Sequence, residues 1–331
     1  MTLRMPGEFE RHERTLIGWP CRATSWGDTL AQGRAEFAAV ANAIAQFEPV
    51  TMVCDSDADA TDARAALSSA VEIFVHPMDG SWLRDNGPIF VIDGTHREAR
   101  QFRFNAWGER HAHRDRDVAV GAALGNRYSE LVMPVDVVLE GGAIAVDGAG
   151  TVVTTEGCVM HPLRNWQLSK TEVDRRIRAA LGAQQVIWLP QGLEQDLDRQ
   201  FGTDGHIDLF CSFIEAKRCL LLAVPPSNVN FERLQASRRL LSGAGIEVID
   251  FPYLSSFMID TREVIAPYLN FYLCNGAAIV PIANADPDLD AEALAVLARY
   301  LPDRQVVPIT MRAGPMQGGA IHCLTQQVPA L

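Results

Sequence analysis

The chain has seven cysteines, at 21, 54, 158, 211, 219, 274 and 323, yet no two stand in a Cys-x-x-Cys spacing. An odd number without paired spacing argues against a disulfide framework or a zinc ribbon and fits a reducing compartment. No His-Glu-x-x-His motif occurs, so the common helical zinc site is also missing. Basic residues are in deficit, 29 against 41 acidic, and a net charge of −12 disfavours nucleic acid or an anionic membrane as partner and mildly favours a cationic ligand. Long hydrophobic runs are absent. The longest apolar tract, 264–283, is broken by Pro267, Asn270, Asn275, Gly276 and Pro281, which reads as strands and not as a membrane span. Residues Met1 to Arg14 are charged and contain Pro6, so they lack the apolar centre of a signal peptide, and a cytoplasmic location is expected.

What remains is an ordinary globular composition, 48% apolar and 21% charged over 331 residues, with ample material for a large core. The hydrophobic periodicity predicts amphipathic helices over Leu30–Gln46, Asp117–Leu124, Ser169–Leu181, Phe231–Ser242 and Asp290–Tyr300, the fourth capped by Gly243. Each leads into a β-branched strand: Val50–Cys54, Met133–Val138, Gln185–Leu189, Ile246–Phe251 and Gln305–Ile309. A further strand, Val71–His76, has no equally clear helix attached.

Conspicuous polar residues sit in the loops between these units. With Asp85, Glu140, His206, Asn270 and Cys323 as markers, the spacings are 55, 66, 64 and 53 residues. Such a period suggests a repeated module with one crossover helix, and five modules around an axis would gather their inner loops at one centre. A two-domain α/β protein is the alternative that the spacing leaves open.

Cys323 follows Gly318 and Gly319 and is the candidate nucleophile. A cysteine serves in that role when its thiolate is stabilised and a proton shuttle is near, and His206 is the candidate shuttle. Asp208 stands two residues after His206, and in an extended segment the two side chains share a face. On the same argument His322, next to Cys323, faces away and is structural. Asp85 and Asp208 together offer two carboxylates, a set suited to holding a planar guanidinium flat with its carbon exposed. Glu140, ahead of Gly141 and Gly142, is placed to hold His206 and raise its basicity. Trp82 is a candidate to pack a substrate chain beside a cation site. The set His206, Asp208 and Glu140 is poor in imidazole for zinc, so no metal is expected.

Seven segments carry a resemblance to a known family: residues 5–15, 82–88, 104–108, Leu139-Glu140-Gly141-Gly142, Gly205-His206-Ile207-Asp208, residues 268–272 around Asn270, and residues 319–327 around Cys323. Together they resemble agmatine deiminase, of the agmatine deiminase and bacterial peptidylarginine deiminase family of guanidino-group-modifying enzymes. The resemblance runs from residue 5 to residue 329. It implies a single α/β domain over 1–331: a five-bladed α/β propeller, or pentein, of pseudo-fivefold ββαβ repeats around a central active site. It implies Cys323 as nucleophile, His206 as acid/base, Glu140 as its partner, Asp85 and Asp208 as guanidinium clamps, and Trp82 and Asn270 as further substrate-binding residues. No cofactor is implied. The expected reaction is hydrolysis of agmatine to N-carbamoylputrescine and ammonia. Deimination of another guanidino compound, amidino transfer, dimethylarginine hydrolysis and a non-catalytic propeller binding protein are the alternatives. The expected partner is a small guanidinium compound, with a homodimer as the default assembly. The chain departs from the pattern at Gly202, where the family usually has an acidic residue, and at Asn86, where it usually has threonine.

Overall fold

A computed structural model describes residues 3–111, 115–259 and 262–331, with the backbone only for residues 23 and 24. Five sheets repeat one pattern. In each, a central strand pairs antiparallel with one neighbour and parallel with the other. The sheets are Thr325–Pro329, His12–Gly18, Val50–Cys54 and Val71–Val75; Ile89–Asp93, His96–Arg103 and Leu131–Val138; Ile144–Val146, Thr151–Thr155 and Gln185–Leu189; Cys211–Glu215, Arg218–Leu222 and Glu247–Phe251; and Tyr272–Cys274, Ala277–Ile282 and Gln305–Thr310. A separate antiparallel pair joins Ser256–Ile259 to Arg262–Ile265.

The parallel pairings explain the helices. Two parallel neighbours need a long crossover, and here a helix supplies each one. Leu30–Ile44, Asp115–Tyr128, Lys170–Leu181, Phe231–Gly243 and Pro287–Tyr300 realise the five helices expected from the periodicity. Helix Lys170–Leu181 shows how its ends are set: Ser169 caps the Glu172 N–H at 3.2 Å, and Gly182 takes the left-handed φ of +66° that ends the helix. In the fourth helix the left-handed residue is Gly245, at φ +80°, while Gly243 is the helix's last residue and not its cap.

One crossover helix, Asp57–Ala66, had no expected counterpart. It leads into Val71–Val75 and only Ala63 is fully buried, so its sequence has no apolar stripe to read. Its start is nevertheless marked, since Ser56 accepts the Asp59 N–H at 3.2 Å and acidic residues fill the first turn.

The core is divided among the sheets. One cluster joins Leu16 and Met52 of the first sheet and Phe37 of its crossover helix to Phe90 and Leu124 near the second and Ile279 of the fifth. Another joins Ile89 and Phe102 of the second sheet to Val152 of the third and Leu181 of its crossover helix. The largest of the remainder joins Val153 of the third to Leu220 of the fourth and Val280 of the fifth. The described residues include no helix long and apolar enough to cross a membrane.

Candidate active site

Between the sheets the chain makes short turns, and those turns carry the site. Asp85 lies in the single turn Leu83–Asn86, and Glu140 starts the turn Gly141–Ala143. His206 and Asp208 flank and occupy the turn Ile207–Leu209, and Cys323 lies in the turn Ile321–Leu324. The extended geometry expected for His206–Asp208 and for His322–Cys323 is therefore corrected. His206 and Asp208 still converge, because the turn and not a strand brings them together.

Gly142 shows how closely. A Cβ placed there would lie 2.6 Å from His206 Nδ1 and 2.9 Å from both Asp208 Oδ2 and Asp85 Oδ1. Only glycine leaves room for three polar side chains to meet at one backbone position. Its N–H donates to Asp85 Oδ1 at 2.9 Å, and Trp107 Nε1–H donates to Asp85 Oδ2 at 2.8 Å. Trp107 is presented by an unusual backbone, with Ala106 and Trp107 both at φ +58° and Gly108 at +76°. Left-handed residues other than glycine are costly and cluster at functional sites.

Cys323 Sγ lies 3.6 Å from Asp208 Oδ2, 3.5 Å from Asn270 Oδ1 and 3.4 Å from Asn270 Nδ2. Asn270 is fully buried and also braces the nucleophile's turn: its Oδ1 accepts the His322 N–H at 3.1 Å and its Nδ2–H donates to the Asp208 carbonyl at 3.2 Å. His322 does not face away. Its Nδ1 is 2.8 Å from Asp208 Oδ2 and its Nε2 is 3.0 Å from Glu8 Oε2.

His206 stands between two carboxylates, with Nδ1 3.9 Å from Asp85 Oδ1 and Nε2 3.8 Å from Glu140 Oε2. Burial works against its charged form, but Asp85, with Cys158 and Glu140, raises its pKa well above the ordinary value. Glu140 is itself buried, which opposes its charge, yet Arg164 and His206 hold its pKa down to about 2. Arg164 Nε–H bonds both Glu140 oxygens, at 2.9 and 3.1 Å, and its Nη1 reaches Asp204 Oδ2 at 2.6 Å. Burial, Asp208 and Asp85 all push the Cys323 thiol well above its usual pKa. Burial and Asp208 also raise Asp85, against the pull of His206. An excess of buried carboxylate around an uncharged thiol is an arrangement that a cation would relieve.

Cys323, Asp85, Trp82 and Trp107 line a cavity of about 50 Å³ together with Phe201 and Gly202. Trp82 stacks on Trp26 with ring centres 5.8 Å apart and packs against Gly319, where a Cβ would sit 2.5 Å from its ring. The Gly202 N–H donates to the Asp198 carbonyl at 2.8 Å, and a Cβ at 202 would come within 2.0 Å of the Asp196 carbonyl. The loop path thus requires glycine there. Arg110 bonds the Gly202 carbonyl and Asp204, filling the same corner with a cation. A larger cavity of about 410 Å³ shares Phe201, Gly202, Gly318 and Gly319 but lies away from the reacting groups.

Glu140, Cys158 and His206 each bring one donor atom to within 4.8 Å of the others. Cys158 had not been expected in this set. Arg164 already neutralises Glu140 across both oxygens, so the group is built as an ion-pair network, and a metal would add positive charge beside that fixed guanidinium. Arg164, Trp107, Asp196 and Glu8 also went unrecognised as site residues. Asp196 accepts the backbone N–H groups of Thr203, Gly205 and His206 at 2.7 to 2.9 Å and so holds the histidine's loop. The Phe104–Gly108 motif was the one available signal for Trp107.

A family model for Porphyromonas-type peptidyl-arginine deiminase matches residues 4–329. The chain belongs to this family. Among curated proteins it is 37% identical to an agmatine deiminase of Pseudomonas aeruginosa, over 99% of this chain and 95% of that one. It is 35% identical to the agmatine deiminase of Medicago truncatula, over 99% and 96%. Among solved structures it is similar to the agmatine deiminase of Enterococcus faecalis at a TM-score of 0.91 and 29% identity, covering 99% of this chain and 96% of that one. A substrate-bound cysteine-to-serine variant of the C. jejuni agmatine deiminase gives a TM-score of 0.89 at 25% identity, covering 98% and 96%.

Proposed function

We propose that the protein is a deiminase that converts agmatine and water to N-carbamoylputrescine and ammonia through a covalent intermediate on Cys323. The single observation that carries this is the convergence of Asp85, Asp208 and His206 on Gly142, with Cys323 3.6 Å from the Asp208 carboxylate. A guanidinium is flat and presents its N–H donors in forks, and two carboxylates meeting it edge-on leave its carbon open to the thiol.

The cation itself prepares the nucleophile. Asp85 and Asp208 are among the groups that keep the thiol protonated in the free protein. A guanidinium between them cancels that effect, so the Cys323 proton is released when substrate binds. The thiolate attacks the guanidinium carbon, forming a C–S bond and a tetrahedral centre. His206, held protonated by Asp85 and Glu140, gives its proton to the departing nitrogen, which leaves as ammonia. The product of this half is a thiouronium in which Cys323 carries the amidino carbon. Neutral His206 then takes a proton from water, the hydroxide adds to the same carbon, and collapse breaks the C–S bond; the departing sulfur takes up the hydroxyl proton, which releases the ureido product and restores the thiol and the protonated His206. Every group that makes or moves a bond is a side chain, so this scheme requires no cofactor.

The five sheets support a five-bladed propeller. Their apolar clusters link the first sheet to the second and the fifth and the second to the third, and one cluster runs through the third, fourth and fifth, which is compatible with a closed ring. The site turns then face its axis, and residues 1–331 form one domain.

A second reading concerns the substrate's far end. Gly202 and the Arg110 guanidinium at the cavity wall favour a guanidino acid over a substrate with a second cation. A panel of agmatine, arginine and 4-guanidinobutyrate, assayed for ammonia and ureido product, separates the two. Preference for agmatine supports the first reading, preference for guanidinobutyrate the second, and no turnover of any guanidine contradicts both.

A further inference from the structure

His322 is bound on both sides by carboxylates and precedes the nucleophile by one residue. Its Nδ1 meets Asp208 Oδ2 at 2.8 Å and its Nε2 meets Glu8 Oε2 at 3.0 Å. Glu8 is fixed in turn, accepting from Arg84 Nη2 at 2.8 Å and from the Leu273 N–H at 2.9 Å. Arg84 is anchored from behind by Gln327 Oε1 at 2.7 Å and donates from Nε to the His322 carbonyl at 3.2 Å. The His322 backbone is held as well, through the Asn270 carbonyl at 3.0 Å. This line of contacts runs from residue 8 to the clamp carboxylate and ends there, because Asp208 Oδ1 is buried with no hydrogen-bond partner among the described residues.

We infer that His322 is a positioning residue, a permanently protonated imidazole strung between Glu8 and Asp208 that fixes Asp208 Oδ2, the oxygen 3.6 Å from Cys323 Sγ, and so sets how the clamp carboxylate meets the substrate guanidinium. This rests on the deiminase reading for its substrate and on the geometry alone for its charge. An imidazole whose two nitrogens both face carboxylate oxygens must donate from both, which only the cation does. The charged groups facing it are Glu8, Asp208 and Arg84. Burial and Arg84 oppose its charge, but Glu8 and Asp208 prevail and raise its pKa. Asp208 shows the reciprocal effect: burial would raise its pKa, yet His322 brings it below the ordinary value. Asp85 meets only the more distant His206, at 3.9 Å, and burial and Asp208 shift it upward despite that pull. The two clamps thus differ: Asp208 has an imidazole at hydrogen-bond distance before substrate arrives, whereas the imidazole nearest Asp85 is that of His206 at 3.9 Å. Glu8, far away in sequence, sets this difference without lining the cavity that holds Cys323.

Two variants and a spectrum test this on the intact protein. In wild type, the ¹⁵N signals of His322, assigned by their loss in His322→Gln, should show both ring nitrogens protonated at neutral pH; a neutral tautomer overturns the inference. Glu8→Gln removes one carboxylate from the imidazole and none from the substrate, so the alkaline limb of kcat/KM for agmatine should move to lower pH by about one unit, a tenfold loss at a fixed pH on that limb. His322→Gln should raise KM about tenfold or more, with a smaller effect on kcat, and His322→Lys should restore part of it. If both variants only lose thermal stability while the folded fraction keeps the wild-type KM and pH profile, His322 is merely structural and the inference fails. Absence of wild-type turnover on agmatine would instead sink the deiminase reading, and the spectrum would still decide the charge of His322.

Discussion

Gly142 sets the strictest requirement of any single residue. Its missing side chain is the space in which Asp85, Asp208 and His206 meet, and the nearest atom to a new methyl would be His206 Nδ1 at 2.6 Å. Gly142→Ala should lower kcat/KM about a hundredfold or more and reduce stability by about 1–3 kcal/mol, as overpacking does in a tight site; kinetics and urea denaturation measure the two separately. The thiol gives a second residue-scale test. Because burial and the clamp carboxylates push Cys323 upward, alkylation of the free protein by iodoacetamide at this residue should accelerate only above the ordinary thiol range. Peptide mapping across pH checks this, and a half-maximal rate near neutrality would contradict it. The sequence made Cys323, His206, Glu140, Asp85 and Asp208 legible because each sits in a short polar motif beside glycine. Arg164 and Glu8 were not legible, since a single charged residue looks the same on a solvated loop as in a buried ion pair, and only the fold brings Arg164 onto Glu140 or Glu8 onto His322.

Elements explain which expectations needed correction. Amphipathic helices announce themselves by an apolar stripe, and Lys170–Leu181, with Val173, Ile177, Ala180 and Leu181 buried, was read with nearly correct ends. Helix Asp57–Ala66 buries almost nothing and was missed. The site segments are single helical turns, too short to leave any periodicity, and so the facing argument for His322 came out reversed. One such turn depends on a remote partner: Arg164, from the loop after Thr151–Thr155, neutralises Glu140 at the start of Gly141–Ala143. Arg164→Met would leave that carboxylate buried with only His206, at 3.8 Å, beside it, a change that costs about 3–5 kcal/mol. Chemical denaturation should show the loss, and kcat should fall as His206 loses its ordered neighbour. Unchanged stability would mean that the pair is not formed.

At the scale of the whole molecule, the strand Thr325–Pro329 returns to pair antiparallel with His12–Gly18, so the segment that follows Cys323 is tied to the start of the chain. The same closure carries Glu8 to the underside of the site. Glu140 is buried and Glu8 partly so, and despite the loss of solvent their cationic neighbours hold each at about 2 against an ordinary 4.5. For groups depressed in this way the stabilisation is complete above pH 4.5 and is lost as pH falls towards 2. Urea midpoints should therefore be level between about pH 5 and 6, drop below that through this window with a shallower drop in Glu8→Gln, and decline again above about 6.5 as the stabilisation from the raised His206 and His322 is lost. A midpoint indifferent to pH there would contradict the ion-pair assignments. The repeat of sheets was legible as a spacing of polar markers, but the order in which apolar clusters join them was not, because those contacts link strands far apart in sequence.

The central claim is that Cys323 becomes covalently attached to the guanidino carbon. Mixing the protein with agmatine, quenching with acid within the first turnovers and mapping the peptides by mass spectrometry tests it directly. The Cys323 peptide should gain the mass of agmatine less ammonia, and Cys323→Ser should fold normally and show neither adduct nor turnover. Full turnover in that variant, or an adduct on Cys158 in place of Cys323, would contradict the account.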